Sequence, residues 1–155
     1  MAAVTYPNET VARFLNEEVI PIQLLYNLEP YASDYNVKWT PAFYVLDWHG
    51  KAHASSVGYL PPEEFIPFMH LGMAKAAFDD GNYEEALERL ETVITEYPAC
   101  QFVPEAIYLR GVTQYKMTHS SDGLVEAYDK LKAEYPQSEW ARKAEPYRLL
   151  RREAA

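Results

Sequence analysis

Hydrophobic positions follow two different rhythms along this chain. Up to about residue 70, helical and extended spacings alternate; beyond it, apolar residues recur only every three or four positions. In "NETVARFLNEE", Val11, Phe14 and Leu15 share a helical face, and Asn8 stands where an N-cap belongs. "VIPIQLLY" (Val19 to Tyr26) is a short apolar run that predicts a buried strand, although Pro21 counts against a central position. "EPYASDYNV" predicts a short helix ending near Asn36. "AFYVLDW" (Ala42 to Trp48) is apolar and aromatic without alternation, as in a strand covered on both faces. A turn at His49 and Gly50 returns the chain through the more polar "AHASSVGYL", which completes a hairpin.

The second rhythm begins in "LPPEEFIPFMHLGMAKAAFDDG". Pro61 or Pro62 suits a first turn, while Pro67 must kink the helix or delay its start. "NYEEALERLETVITEYP" aligns Ala86, Leu87, Leu90, Val93, Ile94 and Tyr97, and Pro98 stops it. "VPEAIYLRGVTQYKM", with Pro104 near its first turn, is expected to bury Ile107, Val112 and Tyr115. "SDGLVEAYDKLKAEYP" repeats the theme with Leu124, Tyr128, Leu131 and Tyr135, stopped by Pro136. "SEWARKAEPYRLL" predicts a last helix capped by Ser138 and broken near Pro146. "TEYP" (Thr95 to Pro98) recurs as "AEYP" (Ala133 to Pro136), at the offset of a helix-turn-helix repeat.

Composition narrows the chemistry. With 155 residues, 48% of them apolar, the chain can form one domain or two small ones. A formal charge of −9 argues against nucleic acid and against anionic membrane surfaces, both of which attract Lys and Arg. Cys100 is the single cysteine, so an internal disulfide and a Cys-rich zinc site are excluded, and a buried, inert thiol is expected. No two of His49, His53, His70 and His119 have ligand spacing, so no metal and no cofactor is expected. His49 and His53 flank the hairpin turn and are expected to be solvated. The carboxylate pairs Glu63-Glu64, Asp79-Asp80 and Glu84-Glu85 are explained by solubility and helix dipoles, without acid-base catalysis. The basic end (Arg142, Lys143, Arg148, Arg151, Arg152) suits a helix C-terminus. Among hydrolase patterns only "HASS" brings a His near a Ser, and strand alternation explains it.

Two resemblances follow. "MAKAAFDDGNYEEALERLETVITEYP", with Gly81, Tyr83 and Ala86, resembles a tetratricopeptide repeat. A looser second unit, with Gly111, Tyr115 and "SDGLVEAY", extends the likeness to about Trp140. The resemblance implies a helical array that presents a surface to proteins. Val37, Trp39-Thr40-Pro41, the run from Ala42 to Trp48 with Asp47 and Gly50, and then Gly58 resemble the later part of a thioredoxin fold. That likeness implies a cis Pro41 and a backbone beside it that pairs with an extended peptide. It also implies a central strand between Val19 to Tyr26 and Ala42 to Trp48, for which no segment is at hand. The expectation is that the two strands pair directly or that a homodimer shields the gap.

The expected fold is therefore α+β or α/β: an incomplete thioredoxin-like sheet over 1–70, then an all-α tetratricopeptide-like array over 71–155. With no Cys-x-x-Cys there is no nucleophile, so no catalytic residue is assigned to the chain as written. The expected function is protein-protein contact, with Trp39, Thr40 and Pro41 as the peptide-binding residues. The alternative is a fragment of a thiol-disulfide oxidoreductase whose Cys-x-x-Cys lies upstream. Without a basic-then-apolar leader, a cytoplasmic location is expected, with no membrane partner.

Overall fold

The computed structural model describes residues 1–151. Helix α1 spans Glu9–Glu18, and the Asn8 side chain accepts from the backbone N–H groups of Thr10 and Val11. Helix α2 is the single turn Tyr31–Asp34. Strands β1 (Ala42–Leu46) and β2 (Ala52–Val57) pair antiparallel, with Ala42 opposite Val57 and a bulge between Val45 and Leu46. Five helices follow: α3 (Pro62–Asp79), α4 (Tyr83–Glu96), α5 (Val103–Thr118), α6 (Asp122–Glu134) and α7 (Glu139–Ala144). A short 3-10 helix, Glu145–Leu150, closes the described chain.

Two expectations about the sheet are corrected. Val19 to Tyr26 forms no strand: Ile20, Ile22, Leu25 and Tyr26 stand exposed, Ile20 at 89%. A strand needs a neighbouring edge to satisfy its backbone. β1 bonds β2 on one side, and no described residue pairs with its other edge. Direct pairing of the two segments is therefore absent. The run beyond Ala42 is also not covered on both faces. Val45 is buried, but Leu46 and Trp48 are exposed, and Tyr35 covers only part of the outer side by packing on Tyr44 at 5.3 Å.

Helix α3 joins the sheet to the array. Its first half places Phe65, Ile66 and Phe68 in a cluster with Val11, Phe14, Val45 and Leu60. Phe43 meets Phe65 edge-on at 5.5 Å, and Phe68 approaches Phe102 at 5.8 Å. Pro67 neither delays nor ends the helix, which begins at Pro62 and carries Pro67 fully buried inside. At Gly72 a Cβ would lie 2.6 Å from Val45 Cβ, so glycine is what lets α3 close on β1. The second half of α3 then contributes Leu71 and Ala74 to the core of the array, beside Leu90, Val93, Val103, Ile107 and Leu131.

The tetratricopeptide-like array stacks α3 to α6 in sequence order, with α7 against α5 and α6. The repeated Tyr-Pro pairs end their helices in the same way. Tyr97 (φ −124°, ψ 50°) follows α4, and Tyr135 (φ −133°, ψ 50°) follows α6. Ser138 caps α7 as expected, accepting from Ala141 N–H at 3.0 Å. In α5, Ile107 is buried, but Tyr115 is exposed and Gly111 and Thr113 are buried in its stead. The reason is close approach, because a Cβ on Gly111 would meet Ala127 Cβ and the Gly123 carbonyl at 2.7 Å.

Candidate functional site

The loop that leads into β1 carries the sequence-expected contact residues. Trp39 is 72% exposed, the Thr40–Pro41 peptide is cis, and the Pro41 carbonyl accepts from Gly58 N–H at 2.8 Å. That bond ties the end of β2 to the loop. Immediately afterwards β1 offers its open edge, a row of backbone donors and acceptors with an uncharged sequence, Ala-Phe-Tyr-Val-Leu. The geometry suits an added strand. It provides no acid, base or nucleophile.

At the other end of the hairpin the structure assembles a charged cluster. Asp47 Oδ1 accepts from the backbone N–H groups of His49 (2.9 Å) and Lys51 (3.0 Å), which shapes the turn that Gly50 completes at φ +83°. Its Oδ2 lies 2.8 Å from His53 Nε2. His53 Nδ1 lies 3.1 Å from Asp79 Oδ2, and Lys51 Nζ bonds the same carboxylate at 2.9 Å. The His53 bond, opposed by desolvation and aided by the turn amides, holds Asp47 below the ordinary carboxylate range. Lys51 first, then His53, does the same for Asp79.

His53 was expected in solvent; its side chain is 2% exposed. Alternation along β2 turns it inward, toward the last turn of α3. Asp79 there faces the negative end of the helix dipole, and the Lys51 ammonium offsets that repulsion. Sequence reading missed this cluster because Asp79 lies far from His53 along the chain. The only local hint was an Asp two residues before His49.

A cavity of about 320 Å³ opens beside the cluster, lined by His53, Lys75, Phe78, Asp79, Leu90 and Leu109 among others. Its lining joins apolar side chains to the charged Lys75 and Asp79, with Lys75 paired to Glu105. It lies between β2 and the helices α3, α4 and α5.

Elsewhere the chemistry is structural. Burial pushes the Cys100 thiol up, away from the reactive thiolate. Arg110, 8% exposed, joins α4 to α6 through Glu91 at 2.9 Å and Glu126 at 3.5 Å. At the basic end, Lys143, Arg148 and Arg151 pair with Glu139, Glu145 and Asp129. Arg152 lies outside the described residues. Among the described residues no group of three or more His, Cys, Asp or Glu side chains has metal-site geometry.

Against this helical architecture stands one match to a known family. Residues 58–151 fit the family model YfiO, described as an outer membrane lipoprotein, and so cover more than half of the chain. The chain belongs to the YfiO family. No curated protein and no solved structure matches it. The YfiO match begins just after β2 and takes in helices α3 to α7, and it supports the tetratricopeptide-like reading while leaving the hairpin and the loop at Trp39 outside its range.

The match also overturns the cytoplasmic location. An outer membrane lipoprotein family points to a membrane-associated site. A lipid anchor, where a protein carries one, holds it to a bilayer without any apolar span. Among the described residues no helix is long and apolar enough to cross a membrane.

Proposed function

We propose that this YfiO-family chain works by protein-protein contact and carries out no chemistry of its own. The observation that carries this reading is the family match laid over a stack of short amphipathic helices. The chain divides functionally into a contact-bearing part, 1–70, and a supporting array, 71–155. The contact residues are Trp39, Thr40 and Pro41, with the open edge of β1 accepting an extended peptide by strand addition. The resemblance to thioredoxins, in Trp39-Thr40-Pro41 and the hairpin after it, supports this choice of surface.

Peptides selected from a random extended library against the purified chain test the reading. Bound peptide should protect the amides of 39–46 from exchange, and Trp39→Ala should weaken binding about tenfold or more, as loss of an aromatic anchor does. Protection confined to the cavity between α3 and α5, with Trp39→Ala unaffected, would move the contact site to the array. A second copy is the other occupant that the exposed apolar run at 20–28 favours. Sedimentation across a concentration series separates it, since only self-association scales with total chain.

A further inference from the structure

We propose that the exposed run from Ile20 to Leu28 and the open edge of β1 together receive one extended, apolar segment of another protein, with basic residues at its two ends. This rests on the strand-addition reading above and adds to it the chemistry of the partner.

The run is bare over its whole length. Every residue from Ile20 to Tyr31 is exposed, with Ile22 and Leu25 both at 74%. Ile22 to Leu24 form no backbone hydrogen bond with any described residue. A contiguous apolar surface of this kind marks a place of contact. The run also starts where β1 is anchored. Val19 packs against the cluster that contains Val45, and Phe43 packs against the same cluster from the strand. Edge and run thus leave one aromatic nest, the first with unpaired backbone and the second with uncovered side chains.

Charge and hydrogen bonding choose among the occupants. A bilayer would cover Ile22 and Leu25, but lipid offers no partner to the N–H and C=O groups along β1. A second copy would bring a strand, yet each copy carries a formal charge of −9 and repels the other. The acidity is local as well. Between Glu9 and Asp47 the chain has six carboxylates against two basic side chains, Arg13 and Lys38. Glu18 is taken up by Arg89 at 2.8 Å, whereas Glu17 and Glu29 stand exposed at the two ends of the run. The run itself and β1 carry no charge. An uncharged strip with an acidic border complements an apolar strand bounded by Lys or Arg.

Synthetic peptides test this on the full chain. They share a Val- and Ile-rich centre of about five residues, the usual length of a strand, and end in either lysines or glutamates. The Lys-ended peptide should bind about tenfold or more tightly than the Glu-ended one at low salt, and the gap should close as salt rises. It should slow amide exchange in both 20–28 and 42–46. Ile22→Ser with Leu25→Ser alters only exposed side chains and should weaken that peptide about tenfold or more. Glu17→Lys with Glu29→Lys should remove its advantage. Equal binding of the two peptides, with 42–46 still protected, would overturn the basic partner and leave strand addition standing. Protection of neither segment would overturn both. Protection of the two segments in the chain alone, rising with its concentration, would assign the surface to a second copy instead. A blue shift of tryptophan emission on phosphatidylcholine vesicles, without peptide binding, would assign it to a bilayer.

Discussion

The hairpin and the helical array bury their residues by different means. In the array, small residues let helix axes close up: Gly111 lies against Ala127 and Gly123, and Ala86, Ala106 and Ala144 have no exposed surface. Its core is continuous from Leu71 to Ala144. The hairpin has one packed face, an open edge, and a neighbouring run of bare apolar residues. It is fastened by aromatic edges on one side and by ion pairs on the other. Dense packing gives the array a fixed shape, while the sparse hairpin keeps backbone and apolar surface available for something else.

Substitutions should separate these two regimes, beginning with the array. Leu131→Ala empties a site with no solvent exposure and should cost about 2–5 kcal/mol in urea unfolding. If it costs no more than a surface change, the array is not the stabilising half. Gly72→Ala should be milder, about 1–3 kcal/mol, because the new Cβ collides with Val45 and must push the hairpin away. Exchange should then rise in 42–57 while 103–134 stays protected.

The third comparison uses pH. His70 packs on Phe14 at 5.1 Å, its Nδ1 has no partner, and burial followed by the Arg89 charge pulls its pKa down to about 4. The folded state thus disfavours the proton that the unfolded chain takes up near its ordinary value. The contribution of neutral His70 is complete above the unfolded value of about 6.5 and is lost as pH falls toward 4. His70→Leu should flatten the acid limb of a plot of urea midpoint against pH. An unchanged limb would assign acid sensitivity to the carboxylates Asp47 and Asp79, whose depressed pKa values act in the same direction lower on the scale. The smallest effect belongs to Trp39→Ala. At 72% exposure it should shift stability by no more than about 0.5 kcal/mol in either direction, so that a loss of binding reads as a loss of contact.

Sequence rhythm disclosed the array well, since the three-and-four spacing of Ala86, Leu90, Val93 and Ile94 records the buried face directly. The same rule slipped in α5. There the inner face holds Arg110, Gly111 and Thr113, residues chosen for closeness and ion pairing, while the apolar Tyr115 points outward. Val19 to Tyr26 has the composition of a strand, but a strand is a property of two segments, and no described residue supplies the second. The loop at Trp39 to Pro41 and the turn at Gly50 were readable because they depend on neighbouring residues. The His53 cluster was not, because an inward-facing histidine looks the same in sequence whether water or a distant carboxylate receives it.

Helix α3 has a further consequence. Its leading turns roof the aromatic nest around Phe14 and Val45, and its trailing turns are the first rung of the helical ladder. One rigid rod is thus common property of both neighbourhoods. Scissors placed midway along it would leave each severed piece missing a wall, so the two neighbourhoods should be made, and should melt, together.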